Sequence, residues 1–154
     1  MFVFDTSAFI NGWNDHYPRP ALDGLWEFME RENAAGRILI PRAVVNETAR
    51  GGDALHEWIK AREHTQPSEA AMVRVGQLEE QFDFGKPNRN EADPWVIAEA
   101  EGRGFAVVTY EGRAFSGGPQ AGRRRDQPMP GICQELGVRC LNPGAALGEL
   151  GLRL

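Results

Sequence analysis

Short apolar runs alternate along the chain with longer segments in which apolar residues recur at helical spacing. The short runs are continuous, which is typical of strands buried on both faces of a parallel sheet. We predict strands at 2–4, 38–40, 105–109 and 138–141, and helices at 21–35, 42–50, 53–64, 68–82, 93–100 and 132–137. Strands that alternate with helices predict an α/β fold around a parallel sheet of four or five strands.

Two segments show no apolar periodicity and are predicted to be loops. Residues 83–91 are polar and rich in turn-forming residues, and residues 110–131 hold many Gly, Pro and Arg. Long loops of the second kind are often functional.

The length of 154 residues fits a single domain spanning 1–154. No apolar run approaches the roughly 20 residues that cross a bilayer, and the N-terminus lacks the basic region of a signal peptide. We therefore expect a cytoplasmic protein with no membrane partner. Cys133 and Cys140 agree with a reducing compartment, match no common zinc spacing, and are expected to be structural thiols.

The net charge of −5 gives no basic footprint of the kind that nucleic-acid binding usually leaves. One local exception exists, because Arg113, Arg123, Arg124 and Arg125 fall in a stretch without acids. These arginines could bind phosphates, and a solvated loop or a protein contact is an equally good interpretation.

Four acids fall where the chain changes from one predicted element to another. Asp5 ends the first strand, and Glu111 lies just beyond the third. Glu47 lies on the helix after the second strand, and Asp93 begins a later helix. Ligands of open parallel sheets bind beyond the carboxyl ends of the strands, so these acids are expected to converge there.

Converging carboxylates repel one another unless a proton or a cation intervenes. Oxygen ligands suit Mg²⁺ or Mn²⁺, and such ions activate water for attack on a phosphodiester. Each acid also has a simpler interpretation. Asp5 and Asp93 are at good N-cap positions, Glu47 is on a helix surface, and Glu111 is in a turn.

Four segments of the chain resemble PIN-domain ribonucleases, the fold of VapC-like toxins. They are Phe4–Ile10, Ile40–Glu47, Ala92–Ala98 and Val107–Glu111, of which the opening Asp-Thr-Ser and the Ala-Asp-Pro-Trp helix start are the most specific. The nearest likeness is to short, stand-alone bacterial PIN proteins of unknown function. The resemblance implies a three-layer α/β/α fold.

The resemblance also implies a metal-dependent endoribonuclease that leaves 5′-phosphate and 3′-hydroxyl ends. Asp5, Glu47 and Asp93 would hold Mg²⁺ or Mn²⁺, with Glu111 or Asp126 as the fourth acid. Gly131 stands where related sequences carry a further Asp before the last helix. Such proteins are typically homodimeric toxins with an RNA substrate and a small antitoxin partner.

Two other functions compete with this prediction. A PIN fold that has lost catalysis could act as a binding module through protein or RNA contacts, and a tight Mn²⁺ site would argue against it. Phosphoaspartyl chemistry would need a lysine near the acids, and Lys60 and Lys86 follow no predicted strand. Trp13 could stack on a base, whereas Trp26, Trp58 and Trp95 are expected in the core.

Overall fold

A four-stranded parallel sheet forms the centre of the protein, which a computed structural model describes over residues 1–51, 53–84, 91–110 and 129–153. The strand order is β2-β1-β3-β4. The strands are β1 (Phe2–Phe4), β2 (Ile38–Leu39), β3 (Ala106–Val108) and β4 (Cys140–Leu141). The prediction of a parallel α/β sheet is confirmed.

Helices flank the sheet. They are α1 (Thr6–Asn11), α2 (Asp23–Ala34), α3 (Arg42–Thr48), α4 (Ala54–Lys60), α5 (Glu69–Gln81), α6 (Asp93–Arg103), α7 (Met129–Leu136) and α8 (Pro143–Glu149). Helix α2 packs on β2, α6 on β1 and β3, and α7 on β4. The arrangement is consistent with the predicted three-layer, PIN-like fold. In the described part of the chain, no helix has both the length and the apolar character needed to cross a membrane.

The helices differ from the predictions at both ends of the chain, since α1 is not among the predicted helices. Helix α7 starts three residues earlier than predicted, because Pro130 is tolerated in a first turn. Helix α8 was not predicted. Its start is marked by Asn142, whose side chain accepts a hydrogen bond from the Ala145 N–H (2.8 Å), followed by Pro143.

The core lies between the sheet and its helices and is built from the residues that the apolar pattern indicates. All three residues of β1 and of β3 are buried. Trp26 and Trp58 are buried and meet edge to face, with ring centroids 4.9 Å apart. Their predicted core positions are confirmed, whereas Trp95 is only half-buried.

The strand order places a topological switch point between β1 and β3. From β1 the chain crosses to β2 on one side, and β3 lies on the other side of β1. In open α/β sheets, ligands bind in the crevice at the carboxyl ends of the strands where the order reverses. The residues that immediately follow β1 and β3 therefore define the place to look for a site.

Candidate functional site

Asp5 lies directly after β1, at this switch point. It is 1% exposed and occupies the N-cap of α1. Its Oδ1 accepts hydrogen bonds from the Ala8 N–H and from the Ser7 hydroxyl, both at 2.8 Å. The backbone N–H of Asp5 donates to the Val108 carbonyl of β3 at 3.0 Å. The carboxylate is therefore held at one position between the two central strands.

The Ser7 hydroxyl joins the ends of β1 and β3. Its Oγ donates to Asp5, lies 3.0 Å from the Thr109 hydroxyl, and accepts the backbone N–H of Tyr110 at 3.0 Å. Thr109 is 1% exposed and follows β3 directly. Ser7 and Thr109 were missed by the sequence reasoning. Their signals are the presence of hydroxyl residues just after two buried strands and their place in the segments that resemble PIN-domain ribonucleases.

Glu47 and Asp93 meet at the start of α6. Ala92 is at the N-cap and has no side-chain oxygen, so the capping acceptor comes from another helix. Glu47 of α3 supplies it, because its Oε2 accepts the Ala92 N–H at 2.9 Å. Asp93 follows in the first turn and is 7% exposed. Asp93 is therefore not the N-cap residue, and Glu47 is more than a solvated helix residue.

Cys133 of α7 is fully buried. Its hydrogen bond with Cys140, its burial, and the charges of Cys140, Asp5 and Asp93 all raise the pKa of the Cys133 thiol. The charges of Asp5 and Asp93 are the smallest of these causes. Both cysteines are free thiols.

The described residues place three of the four predicted acids at or beside one edge of the sheet. Glu111, Asp126 and the arginines Arg113, Arg123, Arg124 and Arg125 lie outside the described residues. Over the described ranges, no three or more His, Cys, Asp or Glu side chains form a group that could hold a metal ion.

Aromatic residues surround α1 and its continuation. The segment after α1 forms a π-helical turn, Gly12–His16, and the half-buried Trp13 in it meets Trp26 edge to face, with ring centroids 4.8 Å apart. His16 is exposed and stacks on Tyr110, with ring centroids 4.7 Å apart. Because it packs against Trp26, Trp13 has less of its ring available for a base than the sequence indicated.

The fold and the site define a class of protein: a parallel α/β chain with buried carboxylates at the switch point of its sheet. The model of one family, DUF4411, a domain of unknown function, matches the chain over residues 2–154. The chain belongs to this family. None of the curated proteins compared with it matches.

Proposed function

We propose that the protein is a metal-dependent endoribonuclease that hydrolyses RNA phosphodiester bonds. The observation that carries the proposal is the placement of two buried carboxylates at the carboxyl ends of the strands: Asp5 directly follows β1, and Asp93 lies in the first turn of α6, which packs on β1 and β3. The resemblance of the surrounding segments to PIN-domain ribonucleases supports the same chemistry. It also suggests the toxin of a toxin–antitoxin pair, active as a homodimer.

The chemistry of the donors fits Mg²⁺ or Mn²⁺. Both acids offer oxygen atoms, and Mg²⁺ commonly uses only one or two protein carboxylates and keeps several waters. A set smaller than three acids is therefore compatible with this ion. Thr6 Oγ1, next to Asp5, is also buried without a hydrogen-bond partner among the described residues.

Each residue would have a distinct part. Asp5 and Asp93 would hold the cation, and Glu47 would fix the start of α6 and add negative charge beside it. Ser7 would keep the Asp5 carboxylate in its orientation. When bound, the cation would supply an activated water and stabilise the leaving oxygen of the phosphodiester.

Replacement of Asp93 by Asn tests the proposal. Asp93→Asn should reduce Mn²⁺-dependent RNA cleavage at least a hundredfold and weaken Mn²⁺ binding in calorimetry, because the amide carries no charge. The circular dichroism spectrum and melting temperature should change little, since Asn is tolerated in a first helical turn. Asp23→Asn, an exposed acid at the same position of α2, is the matched control.

Cleavage by purified Asp93→Asn at the wild-type rate would refute the metal-site assignment. The absence of a three-residue metal group among the described residues favours a second candidate, a PIN fold that binds protein or RNA without catalysis. Measurement of Mn²⁺ affinity separates the two, because only the nuclease requires a metal that Asp93→Asn loses.

A further inference from the structure

A groove of about 190 Å³ lies between α3 and α6, beside the acids but distinct from them. Its lining includes Trp95 and Glu99 from α6, and Arg42, Ala43 and Asn46 from α3. Asn46 directly precedes Glu47, and Trp95 comes two residues after Asp93. The two helices that carry these acids therefore also form the walls of the groove.

The groove is preformed by backbone hydrogen bonds. The Thr65 N–H donates to the Ile40 carbonyl at 2.9 Å, and the Arg42 N–H donates to the Thr65 carbonyl at 3.0 Å. At the rim, Arg42 Nη1 lies 2.9 Å from His64 Nε2, and His64 Nδ1 lies 3.1 Å from the Arg62 carbonyl. A neutral His64 protonated at Nδ1 satisfies both contacts and holds the guanidinium in place.

Two groups in the groove have unused hydrogen-bonding capacity. Neither the Asn46 amide nor the Trp95 indole N–H forms a hydrogen bond within the described residues. Glu99, whose side chain is 11% exposed, receives a hydrogen bond from Arg103 through Oε1 at 2.7 Å. The groove thus combines an aromatic ring, an amide and a carboxylate with a cation at its rim.

We propose that this groove binds one unpaired base of the RNA strand that passes the acids, stacked on Trp95 and hydrogen-bonded by Asn46. The inference rests on the proposed function, because it takes RNA as the substrate. A base has a face for the indole and polar edges for the amide. The volume is below the roughly 300 Å³ at which pockets for drug-sized ligands begin, so it suits one ring system.

Continuity with the acids favours a base over a protein segment. Asp93 and Trp95 share the first turn of α6, and Arg42 begins α3, so a strand with a phosphate at Asp93 would have a neighbouring nucleotide within reach of the groove. A peptide partner would gain nothing from this proximity. We therefore commit to RNA as the occupant, and a peptide is an outcome that would refute the proposal.

Binding in EDTA tests the groove without cleavage. The probe is a fluorescein-labelled single-stranded RNA 12-mer followed by anisotropy. Trp95→Ala should weaken binding about tenfold, the scale of one lost base–aromatic stack, and Trp95→Phe should restore most of it. Phe28→Ala is the matched control, because Phe28 is a half-buried ring with Arg31 over it that does not line the groove.

An abasic scan identifies the bound base. One abasic position should weaken binding to the wild type, and the same position should have no further effect in Trp95→Ala, because the stack is already lost. If Trp95→Ala proves unstable in thermal melts, Ala43→Leu fills the groove while keeping a good helix former, and should weaken binding similarly. Equal RNA affinities of the wild type, Trp95→Ala and Ala43→Leu would refute the proposal. The proposal would also be refuted if the groove variants bound RNA like the wild type and lost binding only to a protein partner.

The outcome is separable from that of the proposed function. If the wild type binds with a position-dependent base effect but does not cleave RNA in Mn²⁺, the nuclease is wrong and the groove stands. If the wild type cleaves RNA and Asp93→Asn does not, while no abasic position changes the RNA affinity, the proposed nuclease function is supported and the proposed base-binding groove is refuted.

Discussion

At the scale of single residues, the Ser7 hydroxyl connects parts of the chain that are more than a hundred positions apart. It contacts the Asp5 carboxylate, the Thr109 hydroxyl and the Tyr110 N–H within 3.0 Å. One small side chain therefore orients the carboxylate and holds the end of β3 against the start of α1. A change in that orientation would move the carboxylate oxygens that the proposed cation would bind.

Ser7→Ala should lower the free energy of unfolding by about 1–3 kcal/mol, since it leaves the Tyr110 N–H without this acceptor. RNA cleavage should fall as well, because Asp5 loses a hydrogen bond that orients it. Urea denaturation and the cleavage rate measure the two effects.

Ser68→Ala is the control for this substitution. Ser68 caps α5 by accepting the Ala71 N–H at 3.1 Å, so its loss costs about 1 kcal/mol away from the acids. Cleavage should be unchanged in Ser68→Ala. Unimpaired cleavage by Ser7→Ala would show that Asp5 needs no support from this hydroxyl.

At the scale of elements, α3 and α6 depend on each other. The side chain of Glu47 replaces the cap that Ala92 cannot provide, and this contact fixes the start of the helix that carries Asp93. A carboxylate at a helix N-terminus is also favoured by the helix dipole. Glu47 thus has a structural function whether or not it acts in chemistry.

Two substitutions of Glu47 separate these functions. Glu47→Gln keeps an acceptor for the Ala92 N–H, so stability should change by less than about 0.5 kcal/mol while cleavage falls. Glu47→Ala leaves the N–H of the buried Ala92 without this acceptor, so it should also lower the free energy of unfolding by about 1–2 kcal/mol. The measurements are urea denaturation and cleavage in Mn²⁺. Full cleavage by a stable Glu47→Gln would restrict Glu47 to its capping function.

The elements could be predicted from the sequence wherever one local pattern decides them. The buried runs Phe2–Phe4 and Ala106–Val108 and the long amphipathic helices are of this kind. Helix α8 is short and made largely of small residues, so its apolar periodicity is weak. Trp95 was placed in the core because its spacing is helical, but the first turn of α6 lies beside a groove that only the packing of α3 creates.

At the scale of the whole molecule, the strand order determines which residues meet. The sequence could predict that Asp5 ends a strand, because an apolar run reaches it. The contact of Ser7 with Thr109 depends on the register that pairs Phe4 with Val108, and no local pattern encodes that register. The capping of α6 by Glu47 joins positions 45 residues apart and has the same origin.

The Cys133 thiol should make the free energy of unfolding depend on pH. The pKa of this thiol is raised in the folded protein, whereas the pKa of an unfolded thiol is about 8.5. The unfolded state therefore releases a proton that the native state keeps, and the free energy of unfolding should fall as pH rises above about 8.5. Below that pH the thiol is protonated in both states, and this contribution to stability is fully retained.

Urea denaturation between pH 7 and 9.5 measures this dependence. The wild type should lose up to about 1.4 kcal/mol per pH unit from this thiol, and Cys133→Ala should have a flatter profile despite lower stability at neutral pH. Cys140→Ala keeps the buried Cys133 thiol but removes its hydrogen-bond partner, so its slope shows how far burial alone maintains this dependence. If the free energy of unfolding fell equally with pH in the wild type and in Cys133→Ala, other groups would determine the loss of stability at alkaline pH.

The hydrogen bond from the Ala92 N–H to Glu47 predicts how this family would diverge under the proposed nuclease function. A chain that abandoned catalysis would still need an acceptor for the N-terminus of α6, so selection on folding alone would preserve Glu47. Asp93 is not the acceptor of the Ala92 N–H, so this hydrogen bond would not preserve it once the chemistry is gone. In other members of the family, loss of Asp93 together with retention of Glu47 would therefore indicate a chain that keeps the fold but lacks the proposed catalytic activity.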